Sequence, residues 1–397
     1  MIRIFYLTRA RFLSERAHMH NIVKTCEFFE NSGEAKVSLI DCDSALKDDE
    51  SIDNFFKFHS VKKRFEVISL DSLANRFKFK GVRILNFLEV FFTNSTLIRY
   101  LFKKRGDFDL IYYRDHLFSP VVIFAKYFLK KPLFFESHYI LKKWHSRLLT
   151  NFVIRISNGV IAITEALNKR LRKYNKNIIT VFCAAPEFFL PEIYDRNKIR
   201  EELDLPTDKI IIGYTGNMAV TGLGESYGVE EIVKSLKYLS EDFIFVGVGD
   251  KIGEAQFLVD IAKKDAIDKR VIILPWQDRE KMPKYLAAFD VLVIPKAGGA
   301  PGNIPTKMYE YLAAGRPAVA CETEPILEVM NDRKNCLIVK SNSPKEWAEK
   351  IREIYSDKFL QERLIKQAKE DSKQYTWDNR GKLILKFIKK LYVERRN

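Results

Sequence analysis

"DVLVIPKAGGAPGNIPTKMYEYLAAGRPAVAC", residues 290–321, is the stretch that decides how this chain folds. Val291 to Ile294 is a short apolar run without a polar break, as a strand buried on both faces requires. A loop carrying Gly298, Gly299 and Gly302 follows. An amphipathic stretch then runs from Thr306 and stops at Gly315, where a glycine can end a helix. "PAVAC" (317–321) is a second buried strand. Strand, helix and strand in this order make a crossover unit, and crossover units build parallel sheets.

The same unit recurs in both directions. Towards the C-terminal end lies "CLIVK" (336–340), then two helices and a basic helix over 380–395. Upstream lie "VIILPW" (271–276), "DFIFVGVGD" (242–250) and "KIIIGYTG" (209–216). Before these, "CAAPEFFLPEIYDR" (183–196) breaks the alternation with two prolines. Beyond that break the pattern resumes: "IITVF" (178–182), "GVIAIT" (159–164), "PLFFES" (132–137), "LIYY" (110–113), "KVSLI" (36–40) and "IRIFYL" (2–7), with helical patterns between most of them. Residues 51–107 are less regular, basic and aromatic. The reading is α/β: two Rossmann-like, doubly wound parallel-sheet domains, facing across a cleft with the ligand at the carboxyl ends of the strands. The boundaries expected are 1–187, 188–379, and a last helix, 380–397, returning to the first domain.

A length of 397 residues suits two cores better than one. The net charge of +15 favours anionic partners, but no nucleic-acid-binding motif accompanies it, so nucleic acid is not expected. Five scattered cysteines without a C-x-x-C pair suggest neither a disulfide framework nor a zinc site, and a reducing cytosol fits them. The most apolar stretch, from Gly81, is interrupted by Arg83, Asn86, Glu89, Asn94 and Arg99, so it does not read as a membrane span. "DCD" (41–43) and "DFD" (107–109) match a D-x-D metal motif, but such short matches are common and no metal is expected. "VGVGD" has Ile252 where a dinucleotide fingerprint needs its third glycine.

The helix start near Thr306 reads as an anion site. Pro305 blocks extension backwards and Thr306 can cap the helix. A helix N-terminus offers N–H groups and a positive dipole end, and nearby glycines let backbone approach a ligand. Lys307 adds a point charge for a phosphate. Glu310, one turn deeper, can accept from a vicinal diol. The competing reading pairs Lys307 with Glu310 on a solvated face.

At these residues a resemblance emerges. "PTKMYEYLAAGRPAVA" is similar to the signature of retaining glycosyltransferases of family four, which have the GT-B fold. "IIIGYTGNM", "FIFVGVGD" and "ILPWQDREKMPKYLAAFDVLVIP" resemble that family's donor domain, and "FFESH" and "VIAITEAL" its acceptor domain. The resemblance implies transfer of a sugar from a nucleotide-diphosphate sugar, UDP-sugar favoured, to a glycan or lipid-linked acceptor in cell-surface polysaccharide or glycolipid synthesis. It implies front-face attack. No acidic pair lies near the expected phosphates, so neither metal nor cofactor is expected. Glu310 matches the second acidic residue of the family's paired motif, which holds the donor ribose. Gly302 falls at the first, so backbone N–H groups or Asn303 would serve there. Gly216 and Asn217 fall where the family's first donor strand ends, and Asn217 replaces an expected basic residue. Lys307 or Lys296 would then supply pyrophosphate charge. Trp276 is placed either to stack on the base or to join the core. The resemblance puts His138 at the donor sugar, with Glu136 orienting it, satisfying the strand end, or meeting the acceptor. Arg9, Arg11, Arg16 and His18 follow the first strand and are acceptor or phosphate candidates. The departures at Gly302 and Asn217 leave a second reading open, a non-catalytic nucleotide-sugar-binding partner of an active transferase. The basic and aromatic region suggests an anionic membrane surface as a partner, and hence a cytoplasmic protein peripheral on the inner face of the plasma membrane.

Overall fold

The computed structural model describes the chain except residues 10, 11, 13–16, 43–45, 47, 73–82, 139–143, 186–194, 220–226, 252, 296–304 and 395–397; at 17, 18, 83–87 and 145 it describes backbone only. The chain forms two compact units, Met1–Cys183 with Trp377–Asn397, and Ala184–Thr376.

The N-terminal unit holds strands β1 (Ile2–Leu7), β2 (Ala35–Asp41), β3 (Glu66–Ser69), β4 (Leu110–Tyr113), β5 (Leu133–Ser137), β6 (Gly159–Ala162) and β7 (Ile178–Thr180). They pair in parallel in the order β3-β2-β1-β4-β5-β6-β7. The C-terminal unit holds β8 (Ile210–Thr215), β9 (Phe243–Asp250), β10 (Val271–Pro275), β11 (Val291–Ile294), β12 (Ala318–Cys321) and β13 (Leu337–Val339), all parallel, in the order β10-β9-β8-β11-β12-β13. Each sheet reverses its strand order once, beside β1 in the first and β8 in the second. Such a reversal opens a crevice at the carboxyl ends of the strands. The expected pair of doubly wound domains is therefore present.

Most of the apolar runs became strands covered on both faces, while the edge strands β7 and β10 are only partly buried. Ile4, Tyr6, Val37, Leu39, Leu110, Tyr112 and Phe134 are buried in one core; Ile212, Tyr214, Phe245, Val291, Val293, Val319 and Leu337 in the other. The irregular basic region is more ordered than its sequence suggests. It contains the helix Asp49–Phe58, strand β3 and the helix Arg83–Lys103. Asp48 caps the first of these by accepting from Ser51 N–H at 2.8 Å. β3 is an edge strand, only partly buried, and opens on the exposed Glu66.

The boundaries differ from those expected at 187 and 379. Ala185 N–H donates to Tyr375 O at 3.0 Å, so the chain joins the second unit by Ala184. The last helix starts earlier, at Trp377, whose ring stands edge-on to His20 of the first unit. Its buried face is Trp377, Arg380, Gly381, Ile384, Leu385 and Ile388, the spacing of one helical stripe.

Candidate functional site

In the C-terminal unit the carboxyl ends of β8 and β9 touch through two glycines. Gly216 and Gly249 have φ of +115° and +126°, a region side chains disfavour. A Cβ on Gly249 would lie 2.7 Å from Gly216 O, so this approach admits no side chain there. Gly216 N–H donates to Val248 O at 2.8 Å and completes the junction. Asp250, ending β9, accepts from Gly253 N–H at 3.0 Å and Ala255 N–H at 2.8 Å, and its own carbonyl accepts from Trp276 N–H at 2.9 Å. Trp276 thus stands at the same sheet edge, partly exposed and outside the buried core.

The helix Lys307–Ala314 runs beside this edge and ends at Gly315 with φ +60°. Lys307 Nζ rests 3.5 Å from the centroid of Tyr214, a cation–π contact. A Cβ on Gly216 would be 3.2 Å from that ammonium, so the charge lies against the bare Cα of the strand-end glycine. Burial pushes the Lys307 ammonium down to about 7, while Glu310 pulls it upward. Tyr214 is held by donating to Asn217 O at 2.8 Å, and Tyr311 by accepting from Thr215 N–H at 3.0 Å.

Glu310 pairs not with Lys307 but with Arg279, Nη2 to Oε1 at 3.1 Å. The surface i,i+3 pair is therefore absent, and among the described residues no carboxylate lies within ion-pair distance of Lys307. Thr306 does not cap the helix with its side chain. It has helical φ and ψ, and the carbonyls of Pro305 and Thr306 accept from Met308 and Tyr309 N–H at 3.1 and 3.2 Å. A tight turn of backbone replaces the expected cap. Asn217 is exposed, but its Oδ1 accepts from Ala219 N–H at 2.8 Å, so it shapes the loop. Gly302, Asn303 and Lys296 lie outside the described residues. Gly216, Trp276, Lys307 and Glu310 are brought to one end of the unit. Tyr214, Gly249 and Arg279 join them unanticipated. Arg279 in "WQDREK" gave only one cue, a basic residue just past a strand.

In the N-terminal unit, Glu136 is the last residue but one of β5, with 1% of its side chain exposed. It accepts from Tyr112 Oη, from His138 Nε2 and, at 2.7 Å, from Arg380 Nη2. Burial opposes its charge, but Arg380, His138 and Arg114 outweigh that and hold the carboxyl well below its usual range. The Glu136 carboxylate, expected among the acceptor-binding groups, is enclosed by these protein groups. His138 keeps 14% of its side chain exposed, and burial, then Arg114, push its imidazolium down to about 4. Arg9 is engaged by Glu89 at 3.2 Å and Asp115 at 3.9 Å. Arg11 and Arg16 lie outside the described residues, as does the side chain of His18. Of the D-x-D residues, Asp41 is buried and accepts from Ser69 Oγ at 3.1 Å, and Asp109 pairs with Arg3 at 2.9 Å. All five cysteines are buried, and none is in a disulfide. Among the described residues no helix is long and apolar enough to cross a membrane, and no three His, Cys, Asp or Glu side chains cluster as metal ligands do.

Comparison with known proteins finds similarity in both sequence and fold. Residues 195–371 match the family model described as glycosyl transferases group 1. The chain is 24% identical over 245 residues to the D-inositol 3-phosphate glycosyltransferase of Xylanimonas cellulosilytica, covering 59% of this chain and 57% of that one. The chain therefore spans under two thirds of that relative's length. Among solved structures it is similar to sucrose-phosphate synthase from Thermosynechococcus elongatus, with a TM-score of 0.78 at 14% identity, covering 99% of this chain and 100% of that one. It is similar also to Anabaena HepE in complex with UDP and glucose, with a TM-score of 0.74 at 16% identity, covering 98% and 100%. The fold is GT-B, and residues 195–371 are similar to glycosyl transferases group 1.

Proposed function

We propose that this chain is a retaining, metal-independent hexosyltransferase that takes its sugar from a nucleotide-diphosphate sugar. The observation that carries the reading is the Lys307 ammonium, held on Tyr214 against Gly216 without a carboxylate partner among the described residues. It sits at a strand end of the unit that matches the group 1 model. A cation stacked on an aromatic ring and pressed to a strand-end glycine suits a diphosphate. The Glu310 carboxylate, steadied by Arg279, suits the two hydroxyls of a ribose. HepE, similar in fold, was captured with UDP and glucose, which favours a UDP-sugar here.

In the reaction, the bond from the anomeric carbon to the donor phosphate loosens and positive charge builds on the sugar. Lys307 stabilises the charge growing on the leaving diphosphate, an electrostatic contribution often larger than any other in such sites. The acceptor hydroxyl attacks from the face the phosphate leaves, and the phosphate takes its proton. His138 is neutral near pH 7 and so can accept a hydrogen bond from a hydroxyl. The acceptor is a glycan or a lipid-linked glycan. Exposed Lys57, Phe58, Lys62, Lys63 and Arg64 support a unit working at an anionic membrane surface, on its cytoplasmic side.

The test is thermal unfolding with UDP-, GDP- and ADP-sugars, followed by donor consumption with those that raise Tm. The proposal expects UDP-sugars to stabilise and to be consumed. The alternative, a non-catalytic nucleotide-sugar-binding partner, is favoured by Gly302 standing where the family has an acid. It expects stabilisation with no consumption.

A further inference from the structure

Arg380 occupies the buried stripe of the helix Trp377–Glu394, among Trp377, Ile384 and Leu385. A guanidinium on such a face calls for partners, and its two Nη groups find them while the buried Nε does not. Nη1 donates to Val181 O and Phe182 O, both at 2.8 Å, and Nη2 to Glu136 Oε1 at 2.7 Å. Glu136 in turn holds His138 Nε2. A chain of contacts thus runs from the last helix to a partly exposed imidazole, between residues 244 apart in sequence.

The chemistry of this chain fixes a tautomer. An ionised carboxylate only accepts, so His138 Nε2 must carry the proton it donates to Glu136. Nδ1 is then a bare lone pair, the ring's remaining polar atom. The charge balance keeps the ring neutral. Around Glu136 stand two cations, Arg380 from the helix and Arg114 just past β4, the latter with Nε at 3.9 Å. The other titratable groups are Tyr112 on β4, Tyr6 on β1, Cys26 on the helix after β1 and Cys183 past β7, and burial pushes all four upward, so they stay neutral. A third cation on the ring would face two others with one carboxylate between them.

We propose that Arg380 is a positioning residue for His138: through Glu136 it locks the imidazole as a neutral Nε2–H tautomer whose Nδ1 accepts a hydrogen bond from a sugar hydroxyl. The identity of that hydroxyl rests on the transferase reading above; the tautomer lock does not.

The experiment is nitrogen-15 NMR of the full chain, with His138→Asn identifying the signal among the six histidines. The wild type should show His138 as the Nε2–H form, neutral from pH 8 down past pH 6, about the ordinary midpoint of histidine. Arg380→Gln leaves an ionised carboxylate less compensated, so the His138 midpoint should rise by about one unit or more. Arg380→Lys keeps the charge and should hold the midpoint lower than Arg380→Gln does. In transfer assays Arg380→Gln should lower kcat and shift the acid limb upward, with KM for the donor nearly unchanged. An Nδ1–H tautomer or an ordinary midpoint in the wild type overturns the proposal, even if no Arg380 variant folds. So does a folded Arg380→Gln whose His138 titrates as in the wild type. Absence of turnover with every donor would sink the transferase reading and leave the NMR result standing.

Discussion

Lys307 should take up a proton when a nucleotide diphosphate binds. Burial holds its ammonium near 7, against 10.5 for an ordinary lysine. A diphosphate beside Nζ favours the charged form and lifts that value. At pH 8 a group with a midpoint near 7 is about one-tenth charged, so binding should draw in about 0.9 proton per site; at pH 6 the figure falls to about 0.1. Affinity should weaken towards tenfold, about 1.4 kcal/mol, for each pH unit above 7. Calorimetry with UDP at pH 8, in buffers of different ionisation enthalpy, reads the proton count from the slope. Lys307→Arg keeps a cation at every pH, so its uptake should vanish and its affinity should be flat. The sign for stability follows from the same shift. The folded value lies below the unfolded one, so between pH 7 and 10.5 the unfolded chain binds more protons. Stability of the ligand-free protein should gain from this lysine as pH rises through that window. Zero uptake by the wild type at pH 8, or equal uptake by Lys307→Arg, would refute the placement of the phosphate at Lys307.

Other expectations follow from single contacts. Glu310→Ala should weaken UDP binding by about 1.5–3 kcal/mol, the usual worth of a hydrogen bond to a charged group, and calorimetry showing unchanged affinity in a folded variant removes Glu310 from the site. Gly249→Ala places a Cβ 2.7 Å from Gly216 O at φ +126°, so it should cost about 1–3 kcal/mol of stability; an unchanged Tm in thermal unfolding speaks against the tight β8–β9 junction. Donor consumption should survive EDTA, because Lys307 supplies the charge; loss that Mg²⁺ or Mn²⁺ restores contradicts that assignment. Exchanging Lys62, Lys63 and Arg64 for glutamate should reduce binding to anionic liposomes and spare UDP affinity; wild-type binding that ignores lipid charge or salt reduces this face to ordinary solvated surface.

The sheets were legible because parallel strands buried on both faces leave near-continuous apolar runs, and "IRIFYL", "FIFVGVGD" and "DVLVIP" are such runs. Edge strand β3 opens on the exposed Glu66 and left no such trace, whereas edge strand β10, also partly buried, kept an apolar run. Lys307 and Glu310 stood out because they share one short helix after a glycine loop. Their partners did not, since Arg279 reaches Glu310 across 31 residues and Tyr214 meets Lys307 across two elements. Thr306 misled for a local reason. A cap needs extended backbone, and here the turn made by Pro305 leaves Thr306 helical. Arg380 did leave a signal, a charged residue in phase with Trp377, Ile384 and Ile388. Only the folded chain says which carboxylate it meets.

Retaining transfer from a nucleotide sugar is read from the anomer first released from the donor. UDP-hexoses are incubated with the chain and proton NMR follows the anomeric signal before mutarotation scrambles it. The account predicts UDP release and a first product with the donor's own anomeric configuration. An inverted first product, or a UDP-, GDP- and ADP-sugar panel left wholly intact by folded protein, would contradict it.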